Sequence, residues 1–225
     1  MNPKTLDHVA LWVADRDAIA DFVTRHVGMH VIDRTDRFTL VGSNARHGKL
    51  TLFAADGPRE RGALQHVALR VNDLRTALAQ LPEGLELEQP RPGEAYFDVA
   101  EGLRLGLVEG ETDVDYDLDH VALLAADPEA ALEGWVDLGL NPYGDDRVEV
   151  GGAFVVVRPG GAGAEPEQPL LNHLAVLVDS ASEAENAGFD VDSVVDAANT
   201  LAVFVWGPER VRLEYVEHKP SFSLT

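Results

Sequence analysis

Four histidines stand in one short sequence pattern that recurs along the chain. The pattern reads LDHVAL at residues 6–11, LQHVAL at 64–69, LDHVAL at 118–123 and LNHLAV at 171–176. Its histidines are His8, His66, His120 and His173, which are 58, 54 and 53 residues apart. Imidazole is a common metal ligand, and the chain has no cysteine that could bind an ion instead. Any metal must therefore be held by histidine, aspartate and glutamate.

A carboxylate that could complete such a site lies near the end of the chain. Glu214 stands in the run VRLEY at residues 211–215, between apolar side chains of a predicted strand. A buried carboxylate is costly unless it is paired or bound to a metal. Together with His120 and His173 it forms a set of two histidines and one carboxylate. Such a set binds Fe(II) or a similar divalent ion and leaves coordination positions open.

The elements that must position these residues repeat four times. Each histidine pattern is a short apolar strand, and a helix is predicted after it, beginning near Asp15, Asp73, Asp127 and Asp179. Further strand-like runs follow each helix, so each unit is predicted to be β-α-β-β-β. A single unit leaves one face of its sheet uncovered. The sequence therefore predicts an α+β fold in which four such modules pair into two curved half-barrel sheets.

The order of the units along the chain suggests which of them pair. Residues 110–117 carry four acidic residues and form the natural linker, so we expect an N-terminal pair at 1–111 and a C-terminal pair at 118–225. A polar segment rich in glycine and proline at 159–169 would join units three and four. The N-terminal pair is predicted to hold no metal. The position matching Glu214 is Gly106 in unit two and Thr51 in unit one.

The chain resembles the vicinal oxygen chelate superfamily, which includes glyoxalases, bleomycin and fosfomycin resistance proteins and type I extradiol ring-cleaving dioxygenases. Four units in one chain, and the run FVWGP at 204–208 six residues before Glu214, look most like the extradiol dioxygenases. The resemblance implies one divalent metal, Fe(II) first and Mn(II) next, bound by His120, His173 and Glu214. It also implies a catechol-like substrate that chelates the ion through two adjacent oxygens, and it makes a homodimer an expectation.

Other activities stay open, and the catalytic acid and base are unknown. Phe204 stands where the dioxygenases usually carry a tyrosine, and neither 190–200 nor 121–172 contains a histidine that could transfer protons. The alternatives are a non-oxidative isomerase or lyase, and a ligand-sequestering protein of the bleomycin-resistance type. For the dioxygenase-like enzyme, Val156, Phe204 and Trp206 are predicted to line the substrate pocket, with a place in the ordinary core as the alternative for Trp206.

Composition restricts the partners. A net charge of -21 repels nucleic acid and anionic membranes, and the small-molecule partner is the one that the resemblance implies. The charge indicates either a well-solvated surface or adaptation to high salt, and a high-GC source leaves a similar composition. The chain has no apolar run of the ~20 residues that cross a bilayer. Its first residues have no apolar signal-peptide core, so we expect a cytoplasmic protein.

Overall fold

Each repeat forms a first strand and a helix, followed by further strands. The computed structural model describes residues 2–161 and 166–224. Unit one consists of β1 (Thr5–Val13), α1 (Arg16–His26), β2 (His30–Arg34), β3 (Phe38–Gly42) and β4 (Lys49–Ala54). Unit two consists of β5 (Leu64–Val71), α2 (Leu74–Leu78), β6 (Glu94–Asp98) and β7 (Arg104–Glu109).

The second half repeats this order. Unit three consists of β8 (Tyr116–Ala125), α3 (Pro128–Asp137), β9 (Asn141–Pro142), β10 (Arg147–Val150) and β11 (Ala153–Pro159). Unit four consists of β12 (Leu171–Leu177), α4 (Ser182–Asn186), β13 (Val191–Asp196), β14 (Thr200–Trp206), a short 3-10 turn (Pro208–Arg210) and β15 (Arg212–His218).

Three of the four predicted helix starts carry the expected side-chain cap. The carboxylates of Asp15, Asp73 and Asp127 each accept a hydrogen bond from the backbone N–H three residues later. Unit two has one strand fewer than predicted. Residues 82–92 contain three prolines, which cannot donate a backbone hydrogen bond, and only a single bridge from Glu88 to Tyr96 forms there.

The strands form two sheets, as predicted, but the units pair differently. The eight-stranded sheet has the order β13-β14-β15-β12-β1-β4-β3-β2, and the seven-stranded sheet has the order β6-β7-β5-β8-β11-β10-β9. Units one and four therefore share the first sheet, and units two and three share the second. The prediction that unit one pairs with unit two, and unit three with unit four, is wrong. The proposed linker at 110–117 joins two strands of one sheet.

The physical reason is that any two first strands of these repeats can pair as antiparallel neighbours. The apolar strand pattern is common to all four, so it does not specify a partner. In the structure β1 lies beside β12 and β5 lies beside β8. The predicted segment at 159–169 includes 162–165, which lie outside the described residues, as do Met1 and Thr225 at the outer limits of the two predicted domains.

Two glutamates in left-handed turns connect the sheets. Glu101 has φ 50° and its carboxylate accepts hydrogen bonds from the backbone N–H groups of Ala14 and Asp15, at the start of α1. Glu209 has φ 51° and accepts from the N–H of Ala126, just before α3. Each of these turns belongs to the sheet opposite to the helix that it contacts. The contacts therefore bind the two sheets to each other at equivalent places.

The packed core is continuous across both sheets. Its largest fully buried side chains include Trp135 on α3 and Tyr215 on β15, whose hydroxyl donates a 2.7 Å hydrogen bond to the carbonyl of Leu138. Since side chains alternate along a strand, burying Tyr215 in this core turns its neighbour Glu214 to the opposite face of the sheet. No helix in the described ranges is long and apolar enough to cross a membrane.

Candidate metal centre

Three adjacent strands of the first sheet bring two histidines and one glutamate together. Strands β1 and β12 are antiparallel, with Ala10 opposite His173 and His8 opposite Ala175. Strand β15 runs parallel to β12, and its Glu214 is also opposite Ala175. Residues opposite each other share a face of the sheet. His8, His173 and Glu214 therefore converge on one side of it.

The converging atoms form a small triangle. The Nε2 atoms of His8 and His173 are 3.1 Å apart. A carboxylate oxygen of Glu214 lies 3.2 Å from Nε2 of His8 and 2.9 Å from Nε2 of His173. Within the described residues these three form the one group whose ligand atoms could hold a metal ion.

The opposite nitrogen of each ring fixes which atom faces the centre of the triangle. Nδ1 of His8 donates to a carboxylate oxygen of Asp7 at 2.8 Å, and Nδ1 of His173 donates to the amide oxygen of Asn172 at 3.0 Å. A neutral imidazole that carries its hydrogen on Nδ1 presents a lone pair at Nε2. With both imidazoles neutral, two lone pairs and a carboxylate oxygen point at one another, an arrangement that either a proton on one imidazole or a metal ion among the three atoms satisfies.

The pKa values reflect this crowding. Burial lowers the pKa of His8, but hydrogen bonds to Asp7 and Glu214 outweigh it and raise the value to about 9. Burial raises the pKa of Glu214, but His173 and His8 together bring it down to about 2. Burial lowers the pKa of His173. The carboxylate is therefore ionised and holds positive charge on or between the imidazoles.

The triangle fits a divalent metal ion. Nitrogen and oxygen ligands bind such ions at about 2.1 Å, so two ligands at right angles lie about 3.0 Å apart, against about 3.4 Å for a tetrahedral pair. The observed separations of 2.9–3.2 Å match the first value. Three ligands on one face of an octahedron leave the other three positions open.

Behind His8 lies a buried polar network that the sequence analysis missed. Asp7 also accepts a 2.7 Å hydrogen bond from Nζ of Lys49, and Nε2 of His218 lies 3.2 Å from its second oxygen. Burial raises the pKa of Asp7, but its hydrogen-bond partners and the charge of Lys49 hold it well below the ordinary value. A register shift between Leu6 and His8 accounts for Asp7 and His8 meeting although they are neighbours on a strand.

His120 does not belong to this group, which corrects the predicted ligand set. Its Nε2 lies 2.9 Å from Nε2 of His66 in the second sheet. The matching glutamate position there is Gly106, opposite Ala68. A Cβ at Gly106 would lie 2.5 Å from the ring of Tyr96, so an aromatic ring fills the space that Glu214 occupies in the first sheet.

His8, which we placed in the half without metal, takes the position predicted for His120. The signal for its supporting residues was present in the repeat. An acceptor side chain precedes the histidine in every copy, and in the copies with Asp7, Asp119 and Asn172 it hydrogen-bonds to the ring of that histidine.

The predicted pocket residues divide between the two sheets. Phe204 is opposite Glu214, and its ring centre lies 5.1 Å from that of His173. Trp206, two residues along the same strand, lies next to Arg212. Val156 belongs to the second sheet and lines a different cavity. On the other side of His173 the apolar surface continues with Phe53, whose ring centre lies 6.2 Å from that of the histidine.

Comparison with known proteins agrees with this fold. Residues 5–94 match the model of the Glyoxalase/Bleomycin resistance protein/Dioxygenase superfamily. No curated protein sequence matches the chain.

Three solved structures illustrate the likeness. A protein from Bacillus subtilis, provisionally described as a dioxygenase, is 18% identical, with 98% of this chain and 87% of that chain covered and a TM-score of 0.78. Glyoxalase I from Zea mays is 15% identical, with 95% and 92% covered and a TM-score of 0.74. The cppA protein from Streptococcus pneumoniae is 14% identical, with 96% and 99% covered and a TM-score of 0.60. The sequence likeness to the superfamily model thus lies in units one and two, and the likeness to the three solved structures in the fold of the whole chain.

Proposed function

We propose that the chain is a metal-dependent enzyme that binds a small substrate through two adjacent oxygen atoms. The observation that carries the proposal is the 2.9–3.2 Å triangle of donor atoms from His8, His173 and Glu214. A divalent ion bound there would supply Lewis acidity and open positions for both substrate oxygens.

The surrounding residues favour a flat, apolar substrate body. Phe53 and Phe204 flank His173 on both sides, and Trp12 packs against Phe53 with ring centres 5.3 Å apart. Such a surface excludes water and binds a ring by its faces. Arg212 lies 4.5 Å above the ring of Phe204 and adds a positive charge beside the apolar surface. A catechol, a ring with two neighbouring hydroxyl groups, fits both features.

The reaction we propose is extradiol ring cleavage, with Fe(II) as the first choice of metal and Mn(II) as the second. The carbon–carbon bond beside the two hydroxylated carbons breaks, and both atoms of O₂ enter the product, so no external reductant is needed. The chain's own contribution is to hold the donor triangle, with Asp7 and Asn172 orienting the imidazoles.

A non-oxidative isomerase or lyase is the second candidate, and one observation favours it. Phe204 lies directly beside His173 and Glu214 but has no hydroxyl group that could exchange a proton with a bound substrate. Proton transfer by such a group ordinarily contributes about 10²–10⁴-fold in rate.

Metal analysis of matched variants tests the site. Purified protein reconstituted with Fe(II) or Mn(II) under argon should hold about one ion per chain. His8→Ala and Glu214→Ala should abolish binding, whereas His66→Ala, the equivalent change in the second sheet, should leave it intact. Equal retention in all three variants would disprove the metal centre.

Oxygen uptake tests the reaction. Iron-loaded protein mixed with a panel of catechols in air should consume one O₂ per catechol and form a yellow ring-opened product. If iron remains bound and no catechol is turned over, ring cleavage is refuted and the non-oxidative candidate is favoured.

A further inference from the structure

The second sheet has a cavity at the place equivalent to the metal centre. It encloses about 510 Å³ on the face that carries His66 and His120. Ordinary small-molecule sites enclose about 300–1,000 Å³. The proposed activity concerns the first sheet and assigns nothing to this cavity.

Basic side chains are gathered around it. Between residues 76 and 209 the sequence contains four arginines and no lysine, and all four arginines line this cavity. They come from three strands and one loop: Arg104 on β7, Arg147 on β10, Arg158 on β11, and Arg91. In a chain with a net charge of -21, this concentration marks the cavity as a place for negative charge.

The acidic neighbours leave one positive charge over. Glu94 in the cavity wall lies 3.9 Å from Arg91, and Asp119 in the wall pairs with Arg70, which is not among the four. Arg147 and Arg158 share a single carboxylate, that of Asp146, so one positive charge is left over at the wall. Arg104 pairs with Glu88 and Asp98, whose side chains are 66% and 60% exposed and lie towards solvent. Ion pairs this exposed are weak and leave the guanidinium able to bind a ligand.

The histidine pair disfavours a cation in the cavity. Nδ1 of His120 donates to Asp119, so its Nε2 accepts the hydrogen that Nε2 of His66 donates across 2.9 Å. The pair is therefore satisfied without a metal ion, and no carboxylate of the described residues faces the two Nε2 atoms as Glu214 does in the first sheet. Burial, with His120, Arg104 and Arg158 nearby, lowers the pKa of His66 to about 3, which keeps this ring neutral.

The remaining walls are aromatic. The ring of Tyr96 lies 4.6 Å from that of His66, centre to centre. On the opposite side Phe154 packs against Tyr143 at 5.0 Å, with the guanidinium of Arg147 5.5 Å from its ring centre. Flat surfaces with guanidinium groups at their edges suit a ring that carries a planar anionic group.

From these observations we propose that the second cavity is a metal-independent binding site for a small aromatic carboxylate. The carboxylate would be held by the arginines, principally Arg158 and Arg104, through paired N–H···O hydrogen bonds. The ring would lie between Tyr96 and Phe154.

Calorimetric titration of the whole chain with benzoate tests the proposal. Benzoate should bind one molecule per chain. Arg158→Gln and Arg104→Gln should each raise the dissociation constant about 10- to 100-fold, because each change removes a charge-assisted hydrogen bond. Both variants should fold, since Arg147 still neutralises Asp146 and the partners of Arg104 are exposed.

Two controls separate this site from the metal centre. Arg34→Gln removes a surface arginine paired with Asp17 on the first sheet and should leave benzoate binding unchanged. Glu214→Ala should also leave it unchanged, even where it abolishes metal binding. The proposal is overturned if benzoate does not bind, if the cavity variants bind it as the native chain does, or if Glu214→Ala abolishes binding. Inorganic phosphate binding as tightly as benzoate would overturn the assignment of an aromatic ligand.

Discussion

The carboxylate of Asp7 should control both the stability of the first sheet and its affinity for metal. Its side chain is 3% exposed and pairs with Lys49, whose side chain is 4% exposed. In Asp7→Asn the ammonium group of Lys49 loses its buried counter-charge. Breaking a buried pair from one side costs about 3–5 kcal/mol. For a chain of this length we expect Tm to fall by about 6–20 °C.

The same change should weaken the metal site without removing a ligand. Asp7 accepts the hydrogen bond from Nδ1 of His8 and makes that imidazole more basic. Loss of such a partner behind a ligand ordinarily lowers metal affinity about 10- to 100-fold. Titration of Mn(II) against a competing chromogenic chelator, at a temperature well below Tm, measures the affinity, and differential scanning fluorimetry measures Tm.

Asp119→Asn is the matched control. Asp119 holds Nδ1 of His120 at 2.7 Å and pairs with Arg70, whose side chain is 23% exposed, so it copies the arrangement in the sheet without the carboxylate ligand. We expect a smaller loss of stability and an unchanged affinity for Mn(II). The reasoning fails if Asp7→Asn binds Mn(II) as tightly as the native chain, or if Asp119→Asn weakens binding by the same factor.

Three further outcomes follow from the structure. The pKa of His66 is about 3 in the folded chain and 6.5 in the unfolded chain, so the unfolded state binds a proton first and the folded state loses stability as pH falls below 6.5. In urea unfolding, the native chain should lose about 2 kcal/mol of its free energy of unfolding between pH 7 and pH 5 relative to His66→Gln. An equal loss in both proteins would contradict this. Gly106→Ala should lower the free energy of unfolding by about 1–3 kcal/mol, because its Cβ would lie 2.5 Å from the ring of Tyr96. The metal content should stay unchanged. An unchanged Tm would show that the ring of Tyr96 moves freely. Sodium chloride at 1 M should raise Tm, since it screens the repulsion within a chain of net charge -21, and a fall in Tm would refute a destabilising role for that charge.

The sequence predicted the units and much of the chemistry. The helix starts at Asp15, Asp73 and Asp127 were correct because a cap is a local interaction between residues three apart. The sequence also predicted correctly that Gly106 occupies the position in unit two that Glu214 occupies in unit four, since corresponding strands of repeats align residue by residue.

Which histidine joins His173 and Glu214 at the metal centre could not be predicted in the same way. His8 and His120 stand in identical hexapeptides, LDHVAL, so no local feature distinguishes them. Which of them joins His173 depends on which first strand lies beside β12, and the whole sheet determines that pairing. The acidic segment at 110–117 suggested a boundary between two domains and so led to the wrong pairing of units. An acidic, polar connection is equally suitable between two strands of one sheet.

The pairing of the first and last units sets an order of assembly. His66 and His120 are 54 residues apart and can meet as soon as unit three has been synthesised, whereas His8 and His173 are 165 residues apart. Contacts between distant segments form slowly, because a long loop must close first. During translation β1 therefore gains its neighbour only after β12 has been synthesised, and Glu214 on β15 follows it. An ion taken up at this point would bind residues of units one and four to each other.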